Sequence, residues 1–297
     1  MKACFFGLGS IGQRHLKNLK TISKKFNLQV ECHALRSSDS PLPPDIESLI
    51  SKTVYTEKEL DKKYDIIFIT NPTSLHYDTL KNNCHRAKAF FIEKPIFEKA
   101  RTLDEKQFSE GIFYVACPLR YTKVFKTLQQ EVSKNMIFAG RAICSSYLPH
   151  WRKGTDYIQT YSARKELGGG VKMDLIHELD YITNLFGFPQ SVILADGKFS
   201  DLKINSEDYA AYILKYNNKI ITLHLDYFGM TSKREIELFT DSGTIIGDFI
   251  NSGEQPNDKY LAEMEYFLDC VIKKQKTWNE LVHANRVLFL AEGVIVR

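Results

Sequence analysis

The sequence predicts an α/β domain over residues 1–118 followed by an α+β domain over residues 119–297, and three patterns carry that prediction. Before Pro118, short apolar runs alternate with amphipathic stretches, which argues for a parallel sheet covered by helices on both faces. The first apolar run leads into a glycine-rich turn that opens a helical stretch. After Pro118 the apolar runs lengthen, alternate with polar residues, and are joined by hairpin-like turns.

In chain order, KACFFGLG reads as a buried strand and IGQRHLKNLKTISKKF as a helix. LQVECHAL is the second strand, and the prolines of RSSDSPLPPD mark a loop without regular structure. DIIFIT and AFFIEKP are further apolar strands, separated by the helical TSLHYDTLKNNCHR. KARTLDEKQF reads as another helix and GIFYVAC as the next strand. TKVFKTLQQEVSK opens the second part as a helix. Its strands come from RAICSSYLPHW, SVILADGKFS, DYAAYILKYNNKIITLHLDYF and REIELFTDSGTIIGDF, with turns at Asn217-Asn218 and Asp241–Gly243. Two helices, KYLAEMEYFLDCVIKKQK and VHANRVLFLAEGVIV, close the chain.

Composition narrows the function class. A hydrophobic content of 43% and a charged content of 26% are ordinary for a globular protein. A net charge of +4 suits an anionic small molecule and is no signature of nucleic-acid binding. No apolar run is long enough to cross a bilayer, and MKACFFGLGS reads as a first strand rather than a signal peptide. Cys4, Cys32, Cys84, Cys117, Cys144 and Cys270 form no CxxC pair or zinc-like cluster. Reduced core thiols, a cytoplasmic location and no metal site are therefore expected.

GLGSIG at Gly7–Gly12 is a complete GxGxxG between an apolar strand and a helix, the context that dinucleotide binding requires. Gly7 permits the tight turn, Gly9 lets the backbone approach a pyrophosphate, and Gly12 lets helix and strand pack closely. The helix start at Ser10 and Ile11 offers free N–H groups and a partial positive charge to the phosphates. The second strand ends in Leu35-Arg36-Ser37-Ser38, with Asp39 arriving only inside the loop. Arg36 suits a ribose 2′-phosphate and Ser37 a hydrogen bond to it, so NADP(H) is expected in preference to NAD(H).

ELGGGVKMDLIHELDY places three glycines before a helical stretch that carries Asp174 and His177, three apart and hence on one helical face. Together with GLGSIG, TNPTSLH at Thr70–His76 and EKP at Glu93–Pro95, this stretch resembles the Gfo/Idh/MocA family of nicotinamide-dependent oxidoreductases. The resemblance covers nearly the whole chain. It implies a Rossmann domain followed by a domain with a large open, mostly antiparallel sheet. It implies hydride transfer at a carbinol or keto carbon, usually of a sugar or polyol. It assigns Lys94 to a place between cofactor and substrate, His177 to acid–base work, and Asp174 to its accompanying acid. Asn71, Pro72, Thr73, His76 and Glu93 would lie beside the cofactor. The broad sheet implies a homo-oligomer.

Many members space the acid and histidine four apart, whereas Asp174-Leu175-Ile176-His177 spaces them three apart. A branch acting on surface-polysaccharide or nonulosonate-type sugars has the shorter spacing, commonly as DLSHE, along with YLPxW and YSA-x-KELGGG. YLPHWRKGTDYIQTYSARKELGGG resembles that branch, with Ile176 in place of the usual serine.

Histidine suits proton handling because its ordinary pKa lies near neutrality. A nearby lysine favours a polarised carbonyl or an alkoxide, so Lys94 and His177 share the acid–base role. The glycines would let the helix start lie close to a substrate or cofactor. Arg120, Trp151, Arg152, Tyr157, Tyr161 and Arg164 cluster in segments expected to flank a cleft. Aromatic faces and paired arginine hydrogen bonds point to an anionic sugar, nucleotide-linked or nonulosonate-type. His15, His33, His85, His150, His224 and His283 have no supporting motif and read as structural. Two alternatives share the scaffold: a regulator that senses the dinucleotide without turnover, and an enzyme using the cofactor as a transient redox partner.

Overall fold

The computed structural model describes residues 1–104, 106–108, 110–152 and 154–296. Its contacts divide the chain into two compact units. The first holds Met1–Phe97, Thr102–Ala116 and Lys259–Ala284; the second holds Glu98–Arg101, Cys117–Asp258 and Asn285–Arg297.

The first unit runs β1 (Lys2–Phe6), α1 (Ser10–Lys25), β2 (Glu31–Leu35), α2 (Pro44–Glu47), β3 (Lys52–Val54), β4 (Ile66–Ile69), α3 (His76–Asn83), β5 (Ala89–Ile92) and β6 (Ile112–Val115). All six strands are parallel, in the order β3-β2-β1-β4-β5-β6. The order reverses direction between β1 and β4, so the carboxyl ends of these two strands flank a crevice of the kind that binds ligands in open α/β sheets. β4 and β5 carry no polar residue and are buried along their whole length, as central strands covered on both faces must be. On α1, Leu16, Leu19 and Ile22 recur at helical spacing and are buried.

The second unit runs α4 (Lys123–Lys134), β7 (Ile137–Tyr147), α5 (Val171–Asp174), α6 (His177–Phe186), β8 (Ser191–Gly197), β9 (Tyr209–Lys215), β10 (Ile220–Asp226), β11 (Phe228–Thr240) and β12 (Gly243–Asp248). Its sheet has the order β12-β11-β7-β10-β9-β8, antiparallel except where β10 lies parallel to β7. The register aligns Ile193, Ile213, Thr222, Arg141, Glu237 and Ile246 in one row across all six strands. Ile193 and Ile246 are 64% and 62% exposed, so this face is left open, while the alternate positions Leu214, Leu223 and Ile236 are buried. Two-residue turns close both hairpins, at Asn217-Asn218 and at Asp241-Ser242.

Three segments differ from the expectation. α7 (Asp258–Lys273) belongs almost wholly to the first unit, because Met264, Phe267 and Leu268 are fully buried there and the Phe267 ring packs on Phe91 and Phe68. A single boundary near Pro118 misses this return, which precedes α8 (Leu281–Ala291). KARTLDEKQF forms no helix among its described residues. The backbone N–H groups of Ala100 and Arg101 instead bond the side chains of Glu292 and Asn285. Finally, the proline-rich loop contains α2, with Pro44 in the first turn where its missing N–H costs nothing, and it leads into β3.

Candidate active site

In the first unit, three loops at the carboxyl edge of the parallel sheet come together. Gly7 has φ 94°, and a Cβ there would stand 2.8 Å from the Asn71 Cα. A Cβ on Gly12 would stand 2.6 Å from the Gly7 carbonyl oxygen, so close packing of α1 on the turn requires glycine. Gly9 has no atom within 4 Å of its Cβ position, leaving that face open to a ligand. Gly9 is also the N-cap of α1, with no side-chain cap and no acid in the first turn. The N–H groups at Ser10, Ile11 and Gly12 therefore face outward from the positive end of a 16-residue helix.

Asn71 follows β4. Its Nδ2 donates to Thr79 across 2.8 Å, while Oδ1 is buried with no hydrogen-bond partner. A buried acceptor left open beside an uncapped helix start fits a dinucleotide, whose hydroxyl and amide groups are donors. Pro72 is exposed and Thr73 is buried in the short turn before α3. Arg36 is half-buried at the end of β2, donating to the Ser40 carbonyl with one of its five N–H groups, and Ser37 beside it is exposed.

Lys94 follows β5, half-buried, between two clamped neighbours. Before it, Glu93 lies 2.5 Å from His15 Nε2 through one oxygen and accepts the Lys94 N–H across 3.1 Å through the other. Burial alone would push the Glu93 carboxyl up. The hydrogen bond and charge of His15, together with Lys94, outweigh it and hold the carboxyl below its usual value. After Lys94, the Pro95 and Ile96 carbonyls lie 3.1 Å and 3.2 Å from His76 Nδ1, and His76 Nε2 lies 2.9 Å from the Asn71 carbonyl. His76 is 1% exposed, and burial holds its pKa down. Both Glu93 and His76 are thus engaged with the chain itself.

In the second unit, Asp174 ends α5 and His177 begins α6. The break at Leu175-Ile176 separates the two, so they do not share one continuous helix. Asp174 is 3% exposed, and its carboxylate accepts hydrogen bonds from both Tyr161 and Tyr227 hydroxyls. Burial first, then the charge of Asp174, pushes both phenols well above their ordinary pKa, so they remain neutral donors. His177 is half-buried. The first turn of α6 is pinned by two ion pairs: Glu178 to Arg234 at 2.8 Å, and Asp180 to Arg120 at 2.6 Å.

The glycines before α5 serve the chain's own packing. A Cβ on Gly169 would collide with the carbonyls of Tyr161, Ser162 and Arg164, and one on Gly170 with the Glu207 carboxylate. The approach expected of substrate or cofactor is here taken by residues 161–164 and Glu207.

Of the remaining expected substrate residues, Trp151, Arg152 and Tyr157 line one small pocket, while Arg120 and Arg164 lie outside it. Arg120 is 5% exposed, with its fork committed to Asp180. Trp151 is exposed; its indole N–H bonds Ser146 and its ring meets Tyr227 edge-on. The Tyr157 hydroxyl accepts the Lys203 N–H across 3.0 Å. Arg164 donates to Gln159 and lines a cavity of about 480 Å³ with Lys198, Lys203, Glu166 and Asn205. His15 reads from the sequence as structural, and Tyr227 carries no signal there. The spacing of His15 three residues beyond Gly12 on the buried side of α1 was a usable signal.

Comparisons with known proteins fit this geometry. Residues 1–108 match the model described as "Oxidoreductase family, NAD-binding Rossmann fold", and residues 149–257 match "Oxidoreductase family, C-terminal alpha/beta domain". An uncharacterized oxidoreductase, YrbE of Bacillus subtilis (strain 168), is 26% identical over 202 residues, covering 64% of this chain and 55% of that relative. Among solved structures, a probable dehydrogenase from Thermotoga maritima superposes with TM-score 0.78 at 19% identity, covering 99% of this chain and 96% of that one. A myo-inositol 2-dehydrogenase from Lactobacillus plantarum gives 0.75 at 18%, covering 98% and 95%. A levoglucosan dehydrogenase in complex with NADH and levoglucosan gives 0.84 at 11%, covering 99% and 96%. These likenesses carry the fold, and with the two family models they establish that the chain belongs to the Gfo/Idh/MocA oxidoreductase family, with its NAD-binding Rossmann fold.

Proposed function

We propose that this protein transfers a hydride, with a nicotinamide dinucleotide, to or from a carbinol or keto carbon of a sugar or sugar derivative. One observation carries the reading: the open Gly9 turn, the unpartnered Asn71 Oδ1 and the clamped Lys94 loop gather at the carboxyl edge of one parallel sheet. When bound, the nicotinamide supplies or accepts the hydride. The protein then handles the proton. In the reducing direction, an ammonium at Lys94 donates toward the developing alkoxide, and the His177 imidazole shares that acid–base work. Asp174, fixed by two phenols, anchors the end of α5, just before the break that leads to His177.

Finer features extend the proposal. Arg36 and Ser37 favour NADP(H) over NAD(H). Arg164 with Lys198 and Lys203 favours an anionic sugar, and YSARKELGGG supports the surface-glycan branch. The open sheet face, with Ile193, Ile213 and Ile246, supports a homo-oligomer. Six cysteines without a disulfide suit the cytoplasm. The similar structures that act on levoglucosan and myo-inositol make neutral sugars and cyclitols the comparison set.

The test is a panel of sugars, cyclitols and nucleotide sugars, read by nicotinamide absorbance with each cofactor. Lys94→Ala and His177→Ala should each abolish turnover while dinucleotide binding persists. Binding without turnover across the panel would favour the regulator reading. Arg36→Ala should weaken NADP(H) far more than NAD(H); equal losses defeat the cofactor preference.

A further inference from the structure

His15 is fully buried on α1, its ring against Phe91 at 4.6 Å between centroids and Tyr260 at 6.2 Å. Its Nε2 holds Glu93, and its Nδ1 is buried without a hydrogen-bond partner. An apolar ring of similar volume would fill this pocket without stranding Nδ1, at the cost of leaving the buried Glu93 oxygen without its partner. Packing alone therefore gives no reason for an imidazole here. What the imidazole does is hold a carboxylate whose second oxygen holds the Lys94 N–H.

We propose that His15 and Glu93 are positioning residues for Lys94: the imidazole fixes the carboxylate, and the carboxylate fixes the backbone from which the lysine projects. With its proton on Nδ1, His76 donates to the following carbonyls of Pro95 and Ile96, so Lys94 is held from both sides along the chain. The inference rests on the reading of Lys94 as a proton-handling group. It adds His15, which touches neither hydride nor proton, to the residues on which turnover depends. A displacement of the order of 1 Å in a reacting group lowers turnover by about 100-fold, the scale expected here.

The experiment contrasts two replacements. His15→Gln keeps an N–H donor at roughly the reach of Nε2 and loses the ring. His15→Phe keeps the ring against Phe91 and loses the donor. Two readouts are taken: kcat and KM with the best substrate of the panel, and the rate at which acetic anhydride acylates Lys94 in the intact protein, followed by mass spectrometry. The positioning role predicts a kcat about 100-fold lower in His15→Phe, an unchanged dinucleotide affinity by nicotinamide fluorescence, and an altered Lys94 acylation rate. His15→Gln should return both readouts toward wild type. A packing role predicts the reverse order, and that order, or equal behaviour of both variants and wild type, overturns the proposal. Should His15→Phe fail to fold, Glu93→Gln against Glu93→Leu poses the same contrast. If wild type turns over nothing in the panel, the functional reading falls, and the order of Lys94 acylation still decides this one.

Discussion

Tyr227 donates its hydroxyl proton to one Asp174 oxygen across 2.6 Å, while Tyr161 donates to the other. Asp174 and Tyr227 are 3% and 0% exposed, so neither carboxylate oxygen has water to fall back on. Tyr227→Phe keeps the ring and deletes one donor. Leaving a buried charged acceptor short of a partner costs about 1–3 kcal/mol. The expected outcome is a lower urea midpoint at an unchanged slope, the product of slope and shift amounting to about 1–3 kcal/mol. A midpoint equal to wild type would overturn the reading of Tyr227 as an anchor of this carboxylate.

The three glycines of GLGSIG separate fold from ligand. Gly7→Ala places a side chain at φ 94° and 2.8 Å from the Asn71 backbone, a strain of about 1–3 kcal/mol before any clash is counted. Gly9 has an extended backbone with φ −66° and open space at its Cβ position. Gly9→Ala should therefore melt like wild type and bind NADH more weakly, because the methyl stands where a pyrophosphate would approach. Thermal denaturation and fluorescence titration read the two effects separately. Equal NADH affinity in Gly9→Ala would remove the pyrophosphate from that turn.

The parallel sheet was legible because β4 and β5 are uninterrupted apolar runs and because GLGSIG sits between a strand and a helix. The hairpins were legible from Asn217-Asn218 and Asp241–Gly243, residues suited to tight turns. The return of α7 to the first sheet was not, since an amphipathic helix does not declare which core its apolar face joins. The proposal for Lys94 and His177 rests on motifs far apart in sequence. The partner of Arg120 was not legible, because an arginine in a proline-led turn looks the same whether it meets a ligand or a buried carboxylate 60 residues on. The Asp174 anchor was half-legible: the acid stood out, whereas Tyr227 lies 53 residues away with nothing local to mark it.

Acid should loosen the clamps around Lys94 in two steps. The ordinary pKa of histidine, 6.5, is lowered at His76 by burial. As pH falls below about that value, the unfolded chain takes up a proton that the folded His76 still refuses, so stability declines. The same sign holds for Glu93, whose carboxyl is depressed from 4.5: its contribution is present above that pH and is lost as the folded carboxyl protonates. Above pH 6.5 neither group adds a slope. His76→Gln should flatten the decline of the urea midpoint just below pH 6.5 and leave the more acidic decline in place. An unchanged profile would show that His76 titrates alike in both states.

Arg120 and Asp180 test whether the arginine serves the fold or a ligand. Their side chains are 1% and 10% exposed and 2.6 Å apart, with a second contact from Nε at 2.7 Å. Removing one member of such a pair strands a buried charge and costs about 3–5 kcal/mol, while replacing both by apolar residues is often neutral. Arg120→Met and Asp180→Leu should each lower the urea midpoint strongly, and the double replacement should recover most of the loss. His177 begins the helix that Asp180 anchors, so kcat should fall in the single variants and return in part with stability in the double. If Arg120 instead bound an anionic substrate, Arg120→Met would raise KM at unchanged stability, and the double replacement would restore nothing.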